Sequence, residues 1–158
     1  MLMRNWLPMV LCCAGLLMAQ KYSGPPPPKP DLPYLIHADN LVPTEVAEAR
    51  PEDRKGDVVF TIPGASSPVR TPLASPAFLI MQEEVQADHL QCFRLQSKDG
   101  QREVLMRHKK KLVAHPIRLN VTRVEGNLYK VEVDELLENG EYSLSPSDSN
   151  KVFCFQIY

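Results

Sequence analysis

Residues 117–158, IRLNVTRVEGNLYKVEVDELLENGEYSLSPSDSNKVFCFQIY, decide the fold. Ile117, Leu119 and Val121 fall on one face of an extended segment and Arg118, Asn120 and Thr122 on the other, because successive side chains on a strand point to opposite faces. Beyond the turn at Glu125-Gly126-Asn127 the pattern repeats, with Tyr129, Val131 and Val133 inside and Lys130 and Glu132 outside. A hairpin with one apolar face needs a second sheet to cover it. Asn139-Gly140 marks a further turn, followed by Tyr142 and Leu144. In the last segment Phe153, Phe155 and Ile157 share one face, and Val152, Cys154 and Gln156 the other.

Working back toward the N-terminus, the same signals recur. Tyr34-Leu35-Ile36-His37 reads as a short strand that resumes at Leu41-Val42. Residues 43–56 read as a helical turn over 45–49, closed by Pro51, and then a charged surface loop. Residues 57–62 are rich in β-branched side chains and predict a strand. Residues 63–76 carry four prolines with few charges, which predicts a loop pinned across the domain by Val69 and Leu73. The run Ala77-Phe78-Leu79-Ile80-Met81 is apolar throughout, as in a strand buried on both faces. Residues 90–95 and 101–106 flank Asp99-Gly100, a strong hairpin signal. About nine short strands and no long helical pattern point to an all-β, antiparallel sandwich.

One segment carries a resemblance. Leu137-Glu138-Asn139-Gly140-Glu141-Tyr142-Ser143-Leu144 resembles the Leu-x-x-Gly-x-Tyr-x-Leu that opens a late strand in immunoglobulin-like β-sandwiches. The resemblance implies a sandwich of about 7–9 strands in which the Tyr142 hydroxyl bonds back to upstream backbone, forming a tyrosine corner. It implies no activity. Antibody-type domains place Cys two residues after that tyrosine. Here Leu144 stands there, so their inter-sheet disulfide is missing. The whole chain resembles an exported bacterial protein of uncharacterised type with one such domain.

The N-terminus reads as an export signal. Residues 1–19, MLMRNWLPMVLCCAGLLMA, hold one cation, Arg4, then an apolar run and a small residue at the expected cut after Ala19. That run is shorter than the roughly 20 residues a spanning helix needs. The alternative is an uncleaved anchor. Residues 20–33, QKYSGPPPPKPDLP, read as a Pro-rich tether in polyproline II conformation, leading to a domain over 34–158.

Composition and motifs exclude more than they select. A net charge of −1 over 158 residues argues against nucleic acid, and membrane association is expected only through the export signal. Arg107, His108, Lys109, Lys110 and Lys111 form a basic patch. It reads either as a phosphate or sulfated-polymer contact or as a solvated edge that deters strand pairing. Gly64-Ala65-Ser66-Ser67 lacks the second glycine of a nucleophile elbow. His37, His89, His108 and His115 are too scattered for metal ligation from one element. Asn120-Val121-Thr122 fits the N-glycosylation pattern but lies in a predicted strand, and a bacterial host would ignore it. In an oxidising compartment Cys92 and Cys154 are a candidate disulfide. The alternative is two unpaired core thiols that pack as small hydrophobes.

These readings converge on an exported, non-enzymatic interaction module of the bacterial envelope or extracellular space, without catalytic residues, cofactor or metal, and with a protein partner. A carbohydrate-binding module is the alternative. It would draw on exposed Tyr22, Tyr34 or Tyr158, because Trp6 lies in the signal segment.

Overall fold

A computed structural model describes residues 22–158, so the export signal expected over 1–19, with Cys12 and Cys13, lies outside the described residues. Fourteen strands follow in chain order. They are β1 (Tyr34–His37), β2 (Asn40–Pro43), β3 (Glu45–Glu48), β4 (Arg50–Arg54), β5 (Asp57–Pro63), β6 (Arg70–Thr71) and β7 (Ala77–Met81). After a 3-10 turn at Ala87–His89 come β8 (Leu90–Lys98), β9 (Gln101–His108), β10 (Lys111–Leu112), β11 (Leu119–Glu125), β12 (Leu128–Val133), β13 (Gly140–Pro146) and β14 (Lys151–Ile157).

Two-residue turns set much of the register. Asp99-Gly100 joins β8 to β9, with Lys98 opposite Gln101, and Gly126-Asn127 joins β11 to β12. Both are the turns the sequence predicts. The strands form two sheets, and apart from the short β6–β14 pair the ladders are antiparallel. The first sheet runs β11-β12-β7-β1-β2. The second runs β3-β14-β13-β8-β9-β5-β4, with β10 on β9 and β6 on β14. The chain is therefore an all-β, antiparallel sandwich. Between the sheets lie Leu35, Phe78, Ile80, Val131, Leu144 and Phe153, all buried, with the Phe78 and Phe155 rings 5.0 Å apart.

The second sheet also closes on itself. β3 and β4 end its strand path on opposite sides, yet Ala49 alone connects them. Arg102 of β9 bonds Glu45 of β3 at 2.7 Å. In a flat sheet these strands would lie four spacings, roughly 19 Å, apart. The sheet therefore curls into a barrel, whose interior holds Ala49, Ile62, Leu95, Val152 and Cys154. β14 is consequently buried on both faces. Phe153, Phe155 and Ile157 face the first sheet, and Val152 and Cys154 face the barrel.

Several expectations are corrected. Residues 45–54 form β3 and β4, not a helical turn and loop. β4 ends the strand path, where the ladder tolerates a proline such as Pro51, and its outward charges gave the segment its loop-like composition. Leu73 is 47% exposed, and only Val69 packs on the core. Of the Pro-rich segment, residues 23–26 and 28–30 are exposed, and its end touches the domain. Pro27 and Pro33 are buried, and one Asp31 carboxylate oxygen accepts the N–H groups of Glu83, Glu84 and Val85 at 2.9 Å each. Asn139-Gly140 bends the chain into β13, which belongs to a different sheet from β12.

Cys92 and Cys154 are not bonded. Cys92 pairs across the ladder with Leu144 and faces the first sheet, whereas Cys154 pairs with Ser143 and faces the barrel. β13 stands between them, a separation of roughly 9–10 Å, and disulfide geometry needs Cα atoms within about 7 Å. Burial pushes both thiols up to about 12. A chain beginning at Gln20 is expected to show no thiol reactive to a colorimetric disulfide reagent when native, and two after denaturation without reductant. Finding none after denaturation would contradict this placement.

Candidate binding site at the barrel mouth

One end of the barrel is shut by a buried ion pair. Arg102 is fully buried, and its guanidinium donates to both Glu45 carboxylate oxygens at 2.7 and 2.8 Å. It also donates to the carbonyls of Gly64 at 2.9 Å and Pro63 at 2.7 Å. Glu141 stands 3.8 Å away and accepts hydrogen bonds from the Ser66 hydroxyl and the Ser67 N–H. These contacts fasten the loop after β5 over the barrel end. Burial alone would push the Glu45 carboxyl up, but the hydrogen bonds and charge of Arg102 outweigh it and hold the group below the ordinary carboxylate value.

The other end is open. The β8–β9 ladder stops at Gln96↔Glu103. Beyond that point β8 keeps β13 on one side and meets only Ile117 on the other, whose N–H donates to the Cys92 carbonyl at 2.7 Å. β9 meanwhile turns to pair with β10. The splayed strands leave a cavity of about 420 Å³. Its lining mixes apolar side chains, including Phe60, Ile62, Phe93, Leu95 and Met106, with polar ones. Ser143 and Ser145 add hydroxyls, 3.1 Å apart, because they share the barrel face of β13. Exposed Gln91 and residues 147–150 form the rim, where Asp148 is the one ionisable lining group.

The predicted site residues are not brought together here. Tyr142 lies on the other face of β13, stacked on Phe155, and its hydroxyl donates to the Glu138 carbonyl at 2.7 Å. Burial pushes its phenol up, and nearby Arg94 partly opposes this. Arg107 and His108 end β9, Lys109 and Lys110 form its turn, and Lys111 opens β10. All five are exposed, and His108 Nδ1 meets Asp57 at 2.8 Å. They do not line the cavity, although the preceding residue, Met106, does. Among the described residues no group of three or more His, Cys, Asp or Glu side chains converges.

Sequence reasoning missed the cavity because Ser143 and Ser145 alternate with apolar Tyr142 and Leu144, the usual mark of a solvent face. Arg102 was missed likewise. Its signal is that Arg102, Val104 and Met106 share one strand face, an arginine in line with two apolar residues. Geometry thus defines a β-sandwich with one sheet closed into a barrel and one barrel end open. The chain matches no protein-family model, curated protein or solved structure.

Removing Glu45 takes from buried Arg102 its two-point carboxylate partner and leaves Glu141, 3.8 Å away, as the remaining counter-charge. Glu45→Gln should therefore destabilise the fold by about 3 kcal/mol at neutral pH, measured by urea unfolding. A carboxyl held low in the fold adds stability above its unfolded pKa of about 4.3 and loses it as pH falls through the folded value. The gap between the two proteins should accordingly narrow as the solution is acidified below about pH 4. A gap independent of pH would reject this role for Glu45.

Proposed function

We propose that the chain is an exported, non-enzymatic binding module of the bacterial envelope or extracellular space, and that the open barrel end receives the apolar part of a protein partner. The cavity carries this reading. Its volume falls within the roughly 300–1,000 Å³ typical of ligand sites, and its apolar side chains stand beside polar groups that can fix orientation. A partner's aromatic or aliphatic anchor would gain by leaving water there, while Ser143, Ser145 and Gln91 supply orientation. The two serine hydroxyls face each other instead of a base, which favours binding over acyl transfer. The Tyr142–Glu138 bond supports reading the sandwich as immunoglobulin-like.

Protein is favoured over polysaccharide by where the aromatic rings lie. Sugar recognition would use exposed rings as platforms. Tyr34 is buried, the Tyr22 hydroxyl donates to the Pro25 carbonyl, and the Arg70 guanidinium covers the Tyr158 ring at 4.3 Å.

Photo-cross-linkers at Ser147 and Gln91 should capture one defined protein in cells, whereas a cross-linker at exposed Asn120 should not. Ser145→Trp, which fills the mouth, should abolish the adduct while leaving the melting temperature within a few degrees. Equal capture from Asn120, or an adduct that survives Ser145→Trp, would discard the reading.

A further inference from the structure

The β9–β10 hairpin breaks a local rule. Its two turn residues, Lys109 and Lys110, have φ values of 44° and 72°. Two-residue turns with both φ positive favour Asn-Gly or Asp-Gly, since other L-residues are strained there. The same fold uses Lys55-Gly56 and Asp99-Gly100 for its other turns of this kind. Two lysines at the tip are thus held in place against conformational preference, the pattern found where a turn serves something besides folding.

The surroundings indicate what that is. Arg107, Lys109, Lys110 and Lys111 are exposed, and among the described residues none of the four forms an ion pair. Exposed Lys55 lies in the neighbouring turn, because Val58 of β5 pairs with Arg107. The nearby carboxylates are engaged, Asp57 with His108 and Asp53 with the Gly56 N–H. Beside these cations the hairpin also exposes apolar groups. Leu112, opposite Arg107 in the ladder, is 65% exposed, and Val113 and Leu105 are exposed as well.

We propose that the β9–β10 hairpin is a membrane-docking finger for anionic phospholipid bilayers, with Arg107, Lys109, Lys110 and Lys111 at the phosphates and Leu112 and Val113 in the interfacial acyl region. Charge complementarity selects an anionic surface, and the exposed aliphatic side chains select a bilayer over a soluble polyanion, which would leave them in water. Because Met106 lines the barrel mouth and Arg107 follows it, docking sets the mouth beside the lipid surface. This surface does not depend on what the cavity binds.

The test uses the chain beginning at Gln20, which keeps every strand and both core clusters, in co-sedimentation with vesicles. It should bind vesicles containing phosphatidylglycerol and not pure phosphatidylcholine, and high salt should release it. Lys109→Asn with Lys110→Gly gives the turn its preferred residues while removing two charges. That variant should fold at least as stably yet bind roughly 25-fold more weakly, at about fivefold per cation. Leu112→Ser should weaken vesicle binding while leaving retention on immobilised heparin unchanged. Equal binding to both vesicle types, undiminished binding by the turn variant, or retention on heparin without vesicle binding would overturn the proposal. The last result would assign the patch to a sulfated polymer.

Discussion

A guanidinium withdrawn from water must find an acceptor for nearly every N–H it carries, or the fold bears the desolvation penalty unrelieved. Arg102 meets this demand with acceptors from distant parts of the chain, namely the Glu45 carboxylate on β3 and the carbonyls of Pro63 and Gly64 at the end of β5. The two carbonyls come from the neighbouring strand, but Glu45 reaches Arg102 only if the second sheet curls until β3 and β9 face each other. As a source of stability such a pair is ambiguous, because apolar replacements of similar volume often do as well. As a constraint on geometry it is strong. A sheet left flat would take the Glu45 carboxylate from the arginine and expose the apolar side chains that now fill the barrel.

Curling makes β14 the hinge of the architecture. A strand in an ordinary sandwich has one dry face, but β14 has two, since one sheet covers Phe153, Phe155 and Ile157 while the barrel covers Val152 and Cys154. Each cysteine fills a small apolar niche, on opposite sides of one sheet. The two cores thus share a wall, and packing changes on one side of β13 and β14 are transmitted to the other, because dense interiors do not absorb volume changes locally.

The sheets were legible wherever local chemistry acted alone. Asp99-Gly100 and Gly126-Asn127 turn as their residues dictate, and the apolar run 77–81 is buried on both faces as its composition implies. Legibility failed where the partner was remote. Residues 45–54 look like a charged loop because nothing local reveals that Thr61 will accept Arg50 as its ladder partner or that Glu45 will meet Arg102. Ser143 and Ser145 look solvated because period-two reading assumes one wet face, and curvature turned that face inward. The cysteines allowed two readings, and only the ladder register, Leu144 against Cys92 and Ser143 against Cys154, separates them. The candidate site was illegible for the same reason. It is made by two strands parting after Gln96 and Glu103, and strand divergence has no local code.

β9 ties these features into one axis. At its start Arg102 seals the barrel, in its middle Val104 and Met106 line the cavity, and at its end it turns over two strained lysines into β10. The β-bulge in its ladder with β5 falls at Met106, the last lining residue before the basic tip, and bulges commonly re-aim a strand. The strand is therefore anchored by its most buried charge at one end and ends at the other in exposed residues, of which, among the described residues, Arg107 forms no ion pair and His108 meets Asp57. Stability along such a strand should fall from plug to tip, since buried, fully bonded segments open last and exposed hairpins first. The mouth lies between these extremes, bounded on one side by the pinned end and on the other by a hairpin that can yield. A cavity so placed can admit a bulky apolar group without breaking the closure that keeps the barrel folded.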